Sequence, residues 1–227
     1  MKIVLNVLNG SPEIYQSFQG EGRNYGEKCI LIRLKGCNLR CSWCDTRDSW
    51  DYENSGNEGA VAKTIDEICD MIHKYKTKHL VITGGEPLLQ QVELAELIRR
   101  LPDYYIEVET NGTIVPFLQV DQFNVSPKLS HSENSGYAEN EEALSVFAEL
   151  DNADFKFVIS QKSDISEVLR FSADYNIPAN RIFLMPLGTT TAELDVRDIM
   201  VRELAKKYGF SFTDRLHVRL YENRRGV

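Results

Sequence analysis

Three cysteines lie close together in the segment GCNLRCSWC, at Cys37, Cys41 and Cys44. Thiolates favour soft metals and iron-sulfur clusters over hard cations. A structural zinc site is closed by four protein ligands, and the histidine nearest in sequence to this loop is His73, on a predicted helix. An electron-carrier cluster would also bring a fourth cysteine. The spacing therefore favours a 4Fe-4S cubane with one open iron, and zinc remains a weaker alternative.

The other two cysteines fit an ordinary structural role. Cys69 shares an apolar stripe with Ile65, Ile68 and Ile72 at helical spacing. Cys29 lies in an apolar strand segment. Free cysteine is among the most frequently buried residue types, so we expect both thiols to be core side chains.

The composition is that of a globular protein with one core. The chain has 227 residues, of which 42% are hydrophobic and 26% charged. A net charge of -8 disfavours tight binding to nucleic acid, because such binding requires clustered Lys and Arg. No apolar run approaches the roughly 20 residues of a membrane span, and the opening residues lack a secretion signal. We expect one cytoplasmic domain over 1–227 that acts on a small molecule.

Apolar strand patterns alternate with helical periods along the chain. The predicted strands are 28–35, 79–83, 104–109, 123–125, 154–159 and 181–185, with a last one near 216–221. The predicted helices lie near 64–76, 91–101, 140–149, 164–175 and 192–208. Thr64 and Glu67 form a capping-box pattern, and the polar segments 45–59 and 126–140 are predicted loops. This order indicates an α/β fold with a parallel sheet, open or closed.

Unusual residues follow directly after the first four of these strands. The cysteine loop follows the first strand, GGEP (84–87) the second, ETNG (109–112) ends the third, and SPK (126–128) follows the fourth. In parallel α/β folds, ligands bind at the carboxyl ends of the strands. The four segments are therefore expected to converge on one site.

The cysteine loop and GGEP, in this order on these elements, resemble the radical S-adenosylmethionine (SAM) superfamily. The resemblance implies that the open iron binds SAM and that reductive cleavage of SAM yields a 5′-deoxyadenosyl radical. It also implies that Gly84, Gly85 and Glu86 contact SAM, and glycine backbone permits such close approach. An ordinary strand-to-loop turn is the alternative for GGEP.

A narrower resemblance is carried by YQSFQGEG (15–22), IRLKGCNLRCSWCDT (32–46), ITGGEP (82–87), ETNGT (109–113) and SPK (126–128). Together these segments are similar to the 7-carboxy-7-deazaguanine synthases. The resemblance implies a radical ring contraction of 6-carboxy-5,6,7,8-tetrahydropterin to 7-carboxy-7-deazaguanine with loss of ammonia. This lyase reaction belongs to queuosine and other 7-deazapurine biosynthesis. The resemblance further implies a shortened, modified partial (β/α) barrel, Mg²⁺, a homodimer, and an electron donor such as flavodoxin or ferredoxin.

The same resemblance implies roles for individual residues. The implied SAM contacts, besides the GGE turn, are Trp43, Cys44, Asp45, Ser126, Pro127 and Lys128. The implied substrate contacts are Phe18, Gln19, Gly20, Glu21, Arg33 and Thr83. Arg33 matches the arginine that holds the substrate carboxylate, a role suited to a guanidinium fork. Strand alternation leaves open whether Arg33 points inward or lies at an exposed edge.

Three further positions keep two interpretations each. Thr46 matches a threonine whose hydroxyl binds Mg²⁺, and the alternative is an Asx-type turn formed by Asp45. Glu109 serves either the SAM ribose or proton transfer. His217 lies in a closing segment that covers the substrate in similar chains, or is a strand-surface residue.

Two other functions stay open from the sequence. A glycyl-radical enzyme activase shares the cysteine spacing, although QGEG (19–22) and Thr46 count against it. A non-catalytic iron-sulfur electron carrier would leave GGEP and SPK without a role. No second cysteine cluster follows Cys44, which argues against radical SAM enzymes that carry auxiliary clusters and modify peptides.

Overall fold

The computed structural model of the chain describes residues 1–51, 59–134, 138–222 and 224–226. The strands, in chain order, are β1 (Lys2–Leu8), β2 (Ser11–Pro12), β3 (Ile14–Phe18), β4 (Lys28–Leu34), β5 (Ala60–Thr64), β6 (His79–Gly84), β7 (Tyr105–Thr110), β8 (Gln122–Val125), β9 (Ala153–Ile159), β10 (Ile182–Pro186) and β11 (Ser211–Phe212). All of them belong to one sheet. Strands β4 and β6 to β11 are neighbours in chain order and parallel. The predicted α/β fold is confirmed, and the parallel sheet is open.

The amino-terminal strands add an antiparallel part that the sequence pattern does not predict. Strand β3 pairs with β4, from Ile14 opposite Ile32 to Phe18 opposite Lys28. Strand β1 meets the end of β4 and carries β2 and β5. The buried Asn6 interrupts the apolar alternation of β1, so the sequence pattern does not predict this strand. This pairing places the segment after β3 beside the sheet that carries the cysteine loop.

The helices are α1 (Ile65–Ile72), α2 (Gln91–Arg99), α3 (Glu141–Glu149), α4 (Ile165–Asp174), α5 (Thr191–Tyr208) and α6 (Leu216–Tyr221). The first five agree with the predicted helices. The capping box is confirmed, because Thr64 Oγ1 accepts from the Glu67 N–H at 3.2 Å and the Glu67 carboxylate accepts from the Thr64 N–H at 2.8 Å. Within the described residues, no helix is long and apolar enough to cross a membrane.

The prediction of a last strand near 216–221 is wrong, because this segment forms α6. Leu216, Val218 and Leu220 alternate as in a strand. In the structure only Val218 is fully buried, and Leu220 is 53% exposed. The alternation therefore does not mark a buried strand face.

The two predicted loops are loops wherever they are described. Short 3-10 turns occupy Arg47–Ser49 and Ser130–Ser132. Residues 52–58 of the first loop and 135–137 of the second lie outside the described residues.

The two faces of the sheet differ sharply in polarity, since successive strand residues point to opposite sides. One face packs against α1 to α5 and is apolar, with Ile30, Ile32, Leu80, Ile82, Ile106, Val108, Phe123, Val125, Phe155, Phe157, Ile182 and Leu184. The intervening residues are largely polar: Arg33, Thr83, Glu107, Glu109, Gln122, Asn124, Asp154 and Lys156. Glu107 and Asn124 on this face are almost fully buried. Buried polar groups need hydrogen-bond partners, which must come from the chain or from ligands.

The two isolated cysteines lie on opposite faces. Cys69 is 6% exposed in the hydrophobic core, as predicted. Cys29 is also buried, but it lies on the polar face and lines a pocket with Leu31 and Arg33. Burial raises the pKa of the Cys29 thiol to about 12, and the carboxylate of Glu107 adds to this shift. Cys29 is therefore buried as expected, but it faces the pocket and not the main hydrophobic core.

Candidate active site

A pocket of about 250 Å³ lies on the polar face, at the carboxyl ends of the parallel strands. It joins the cysteine loop, the glycine turn after β6, the end of β7 and the loop after β8, as the sequence predicts. The predicted site residues that line it are Phe18, Gln19, Gly20, Glu21, Arg33, Cys37, Cys41, Trp43, Cys44, Asp45, Thr46, Thr83, Gly84, Gly85, Glu109, Ser126 and Lys128. Glu86 and Pro127 lie outside this lining.

The three thiols of the cysteine loop are unbridged, and each sulfur accepts an N–H. Cys37 Sγ accepts from the Leu39 backbone at 3.4 Å, Cys41 Sγ from Asn134 Nδ2 at 3.0 Å, and Cys44 Sγ from Trp50 Nε1 at 3.3 Å. Such hydrogen bonds to sulfur orient metal ligands and tune iron-sulfur clusters. The donor set therefore fits a thiolate-bound cluster.

The spacing of possible ligands is also informative. In the described part of the chain, no three His, Cys, Asp or Glu side chains are close enough to bind a single metal ion. A cubane does not need this convergence, because each of its thiolates binds a different iron. Burial raises the pKa of Cys37 to about 11 and also raises that of Cys41, so loading a cluster must release protons.

The glycine turn packs directly on the cysteine loop. Gly85 N–H donates to Leu34 O at 3.2 Å, and Glu86 N–H donates to Gly36 O at 2.8 Å. A Cβ at Gly85 would overlap the carbonyl oxygen of Gly36 and lie 2.9 Å from the Cβ of Cys37. Only residues without a side chain permit this contact, so the turn is more than a strand terminator.

Glu86 joins strand ends and does not face the pocket. Its fully buried carboxylate accepts from Thr110 Oγ1 at 2.8 Å, from Asn111 N–H at 2.7 Å and from Leu88 N–H at 2.9 Å. Asn111 in turn donates from Nδ2 to Asn38 Oδ1 at 2.9 Å. The end of β6, the end of β7 and the cysteine loop are thus held in one hydrogen-bonded unit. In this structure, it is glycine backbone that reaches the pocket.

Four charged side chains that line the pocket form one network. The Glu21 carboxylate is paired with Lys156 and, at 3.0 Å, with Nε of Arg215. Arg215 also pairs with Asp45 and donates from Nη1 to Gly188 O at 2.6 Å. Burial would raise the pKa of Glu21, but Lys156 and Arg215 outweigh it and hold the pKa well below its usual range. The carboxylate is therefore ionised between two buried cations.

Lys156 and Arg215 are site residues that the sequence analysis missed. Lys156 lies in the largely apolar segment ADFKFVI, on the same face as Asp154 and opposite Phe155 and Phe157. Strand alternation could have revealed it, because a lysine buried within a strand needs a partner. Arg215 gives no such signal, since its partners are as far away in sequence as Glu21.

Arg33 points into the pocket, so the exposed-edge interpretation is wrong. Its side chain is 13% exposed, and its Nε donates to Glu13 Oε1 at 3.0 Å. Burial would lower the pKa of Arg33, but the Glu13 carboxylate outweighs it and raises the pKa. The guanidinium therefore stays charged and available to an anion in the pocket.

Glu109 lies among the predicted substrate contacts. Thr83 Oγ1 donates to its Oε2 at 2.8 Å, and Gln19 Nε2 donates to its Oε1 at 3.2 Å. Gln19 also donates to Glu107 at 2.5 Å, which ties the segment after β3 to the floor of the pocket. The polar groups that surround this position are already connected before any ligand enters.

Thr46 and Asp45 lie beside the last cysteine. Thr46 Oγ1 is 3.8 Å from Cys44 Sγ. The Asp45 side chain is 34% exposed, and its carboxylate pairs with Arg215. Burial would raise the pKa of Asp45, but Arg215 outweighs it and lowers the pKa. This pairing engages Oδ2 of Asp45, and Thr46 lines the pocket next to it.

His217 lines the pocket from α6, so it is not a strand-surface residue. Its Nε2 lies 3.3 Å from Arg215 Nη2 and 4.0 Å from Glu21 Oε1. A Cβ at Gly20 would overlap the His217 ring. Burial, followed by Arg215, lowers the pKa of His217, which favours the neutral ring.

Comparison with known sequences gives one consistent family. The model of the radical SAM superfamily matches residues 31–128. The 7-carboxy-7-deazaguanine synthase of Pyrobaculum aerophilum is 38% identical, with 94% of this chain and 95% of that protein covered. The synthase of Halobacterium salinarum is 35% identical, with 93% of this chain and 90% of that protein covered.

Solved structures agree. The crystal structure of QueE from Escherichia coli has a TM-score of 0.73 and 25% sequence identity, over 96% of this chain and 95% of that one. SuiB from Streptococcus suis, bound to SAM, has a TM-score of 0.51 at 16% identity, over 78% of this chain and 48% of that one. This second likeness concerns the fold alone.

The packing of the glycine turn predicts the effect of Gly85→Ala. The added methyl would push the turn away from the rigid Gly36 carbonyl and open the cysteine loop. Anaerobically reconstituted variant should hold clearly less iron than the parent, for which about four irons per chain are expected. Cys69→Ala is the control, because Cys69 lies in the hydrophobic core and does not line the pocket. Parent-like iron content and SAM affinity in Gly85→Ala would show that the close packing is unimportant.

Proposed function

Because the chain belongs to the 7-carboxy-7-deazaguanine synthases of the radical SAM superfamily, we propose that it contracts 6-carboxy-5,6,7,8-tetrahydropterin to 7-carboxy-7-deazaguanine. The chain is thus a carbon-nitrogen lyase that releases ammonia in 7-deazapurine biosynthesis. One observation supports the assignment most: unbridged thiols, a glycine turn and a buried arginine line one pocket on the polar face of the sheet. The residue roles that follow are part of the proposal.

The family uses a 4Fe-4S cluster and SAM, and the residues present fit both. Cys37, Cys41 and Cys44 would hold three irons, with an N–H directed at each sulfur. When bound, the two cofactors supply the one-electron chemistry that starts the reaction at a substrate C–H bond. The donors and close-approach surfaces for SAM would come from Trp43, Asp45, Gly84, Gly85, Ser126 and Lys128.

Lys128 lines the pocket, and its ammonium group is fixed by contacts with the loop after β8 and with the cysteine loop. Its Nζ donates to Ser126 O at 2.7 Å and to Ser126 Oγ at 2.8 Å, and it lies 5.8 Å from the centre of the Trp43 ring. Burial lowers the pKa of Lys128. An anionic ligand group beside Lys128 would favour its charged form, which suits a carboxylate-bearing cofactor.

On the substrate side, Arg33 would hold the pterin carboxylate. A carboxylate and a guanidinium pair with two parallel hydrogen bonds, which fixes orientation as well as position. The ring of the substrate would lie against Phe18, Gln19, Gly20, Glu21, Thr83 and Glu109. A site with many buried donors and acceptors rejects molecules that cannot pair with them. The contacts of Glu109 with Thr83 and Gln19 favour a substrate-side role, with proton transfer, over contact with the SAM ribose.

Mg²⁺ would bind next to Thr46 and would help to position the substrate. Mg²⁺ prefers oxygen ligands in octahedral geometry and usually keeps waters and substrate oxygens among them. No group of three acidic side chains close enough to form a cage is found in the described residues. The Thr46 hydroxyl and substrate oxygens are therefore the ligands we propose.

We further propose a cytoplasmic homodimer that receives electrons from a protein such as flavodoxin or ferredoxin. Exposed apolar side chains on α5 support a subunit contact, since Val196 is 79% and Ile199 71% exposed. Arg40 and Arg47 are exposed on the loop that carries the cysteines, and they offer cations to an acidic donor protein.

The function is tested by anaerobic incubation of the reconstituted protein with SAM, dithionite, Mg²⁺ and the carboxytetrahydropterin. We expect 7-carboxy-7-deazaguanine and ammonia, identified by liquid chromatography with mass spectrometry. Cys41→Ala should abolish the product, whereas Cys69→Ala should keep it, because Cys69 lies in the core. SAM cleavage without pterin conversion would favour an activase. Failure to cleave SAM at all would favour an electron carrier.

The proposed magnesium ligand predicts the effect of Thr46→Val, which keeps the shape and deletes the oxygen. Turnover should fall, and a higher Mg²⁺ concentration should be needed for half-maximal rate, because one ligand is lost. Rates measured across a Mg²⁺ titration test this, with Thr77→Val, away from the pocket, as the control. An unchanged titration curve would remove Thr46 from the metal site.

A further inference from the structure

Glu13 is a buried carboxylate at the edge of the pocket that is shared by two arginines. Its side chain is fully buried. Arg33 Nε donates to Oε1 at 3.0 Å, whereas Arg225 Nη2 donates to Oε2 at 2.5 Å. Asn6 Nδ2 also donates to Oε2, at 2.8 Å. Each oxygen of the carboxylate is thus occupied by a different arginine.

Arg225 is held in place from several sides. Its Nη1 pairs with Asp48 Oδ2 at 2.5 Å, so the guanidinium bridges Glu13 and the turn that follows the cysteine loop. The next residue, Gly226, packs on β1, where an added Cβ would lie 2.8 Å from Leu8 Cδ2. The Arg225 side chain is 24% exposed, and Arg225 and Arg33 line the same pocket.

Because Glu13 binds two arginines, only one of its oxygens accepts a hydrogen bond from Arg33, and this determines which nitrogens of Arg33 can bind a ligand. A guanidinium and a carboxylate favour pairing through two parallel bonds. Here Arg33 contacts Glu13 through Nε, and that hydrogen bond does not use its Nη1 and Nη2 edge. An incoming carboxylate needs two such N–H groups side by side. A pair of Glu13 through Nε and the adjacent terminal nitrogen would leave the N–H groups of the Nη1–Nη2 edge unused, but it would turn the guanidinium and so change the direction in which that edge points.

We propose that Arg225 is a positioning residue that sets, through Glu13, the direction in which Arg33 presents its terminal nitrogens to the substrate carboxylate. By occupying Oε2, it leaves Glu13 one oxygen for Arg33, so Arg33 is held through Nε alone. Without Arg225, Asn6 is the neutral donor that remains on Oε2 of Glu13. A buried carboxylate that loses a charged partner is destabilised, so Glu13 would pair more closely with the cation that is left, Arg33. The inference rests on the proposed function, in which Arg33 anchors the substrate.

The test compares steady-state kinetics for the carboxytetrahydropterin in five variants and the parent. Arg225→Met should raise KM roughly tenfold, the size of one charge-assisted hydrogen bond, and change kcat by less than about twofold. Adding Glu13→Gln to Arg225→Met should bring KM back to within about threefold of the parent. The glutamine amide oxygen still accepts from Arg33 Nε, but without a charge it no longer turns the guanidinium into a two-bond pair. Arg225→Lys, which keeps the charge, should fall between parent and Arg225→Met.

The control is Arg170→Met, because Arg170 also bridges two carboxylates, Glu139 and Asp174, but on the outer side of α4. Its KM should equal that of the parent. A parental KM in both Arg225 variants would overturn the proposal. An increase that Glu13→Gln does not reverse would also overturn it, since Arg225 would then act by direct contact or through folding.

Arg33→Lys separates this inference from the function on which it rests. We expect a higher KM and more SAM cleaved per product, because a flexible ammonium loses the bidentate grip. A parental KM in Arg33→Lys would remove both the anchor and the role of Arg225. Product formation by the parent would still establish the synthase activity. A raised KM in Arg33→Lys beside a parental KM in Arg225→Met would remove only the role of Arg225.

Discussion

Lys156 and Arg215 are buried cations in the wall of the pocket, and a buried charge without a partner is among the costliest arrangements in a protein. Glu21 serves both of them, and Asp45 serves Arg215 from beside the last cysteine. The segment after β3, the strand β9, the cysteine loop and the residue before α6 are therefore held by one charge balance. The rest of the site depends on it, because each of these elements carries residues that line the pocket.

A second constraint acts at the rim of the pocket, where the glycine turn and the cysteine loop touch backbone to backbone. Glu86 fixes this contact from behind by joining the ends of β6 and β7. The charged network around Glu21 and the close packing of the glycine turn both fix the shape of the pocket before any ligand binds. Such preorganisation matters for an enzyme that must direct a reactive carbon radical at one hydrogen, because small errors in position cost large factors in rate.

The sequence predicts those features that depend on local patterns. Periodicity locates the six longer parallel strands and α1 to α5, and the position of GGEP and the cysteines after strands predicts their convergence. The sequence does not predict side-chain contacts between residues that are far apart in the chain. Arg215 contacts Glu21, and Arg225 contacts Glu13, across nearly the whole chain. The segment of α6 alternates like a strand, but packing against the pocket decides its conformation. Lys156 was within reach, since it lies between Phe155 and Phe157 in a fully buried strand.

The most direct test of this charge balance is the free energy of unfolding of Glu21→Gln, measured with urea under anaerobic conditions against the parent. The variant keeps the shape and removes the charge that two cations share, so we expect a loss of about 3–5 kcal/mol at pH 7. The difference should shrink as the pH falls below about 4, because the native state holds Glu21 ionised and the unfolded chain then takes up the proton. A loss below about 1 kcal/mol, typical of an exposed ion pair, would contradict the account.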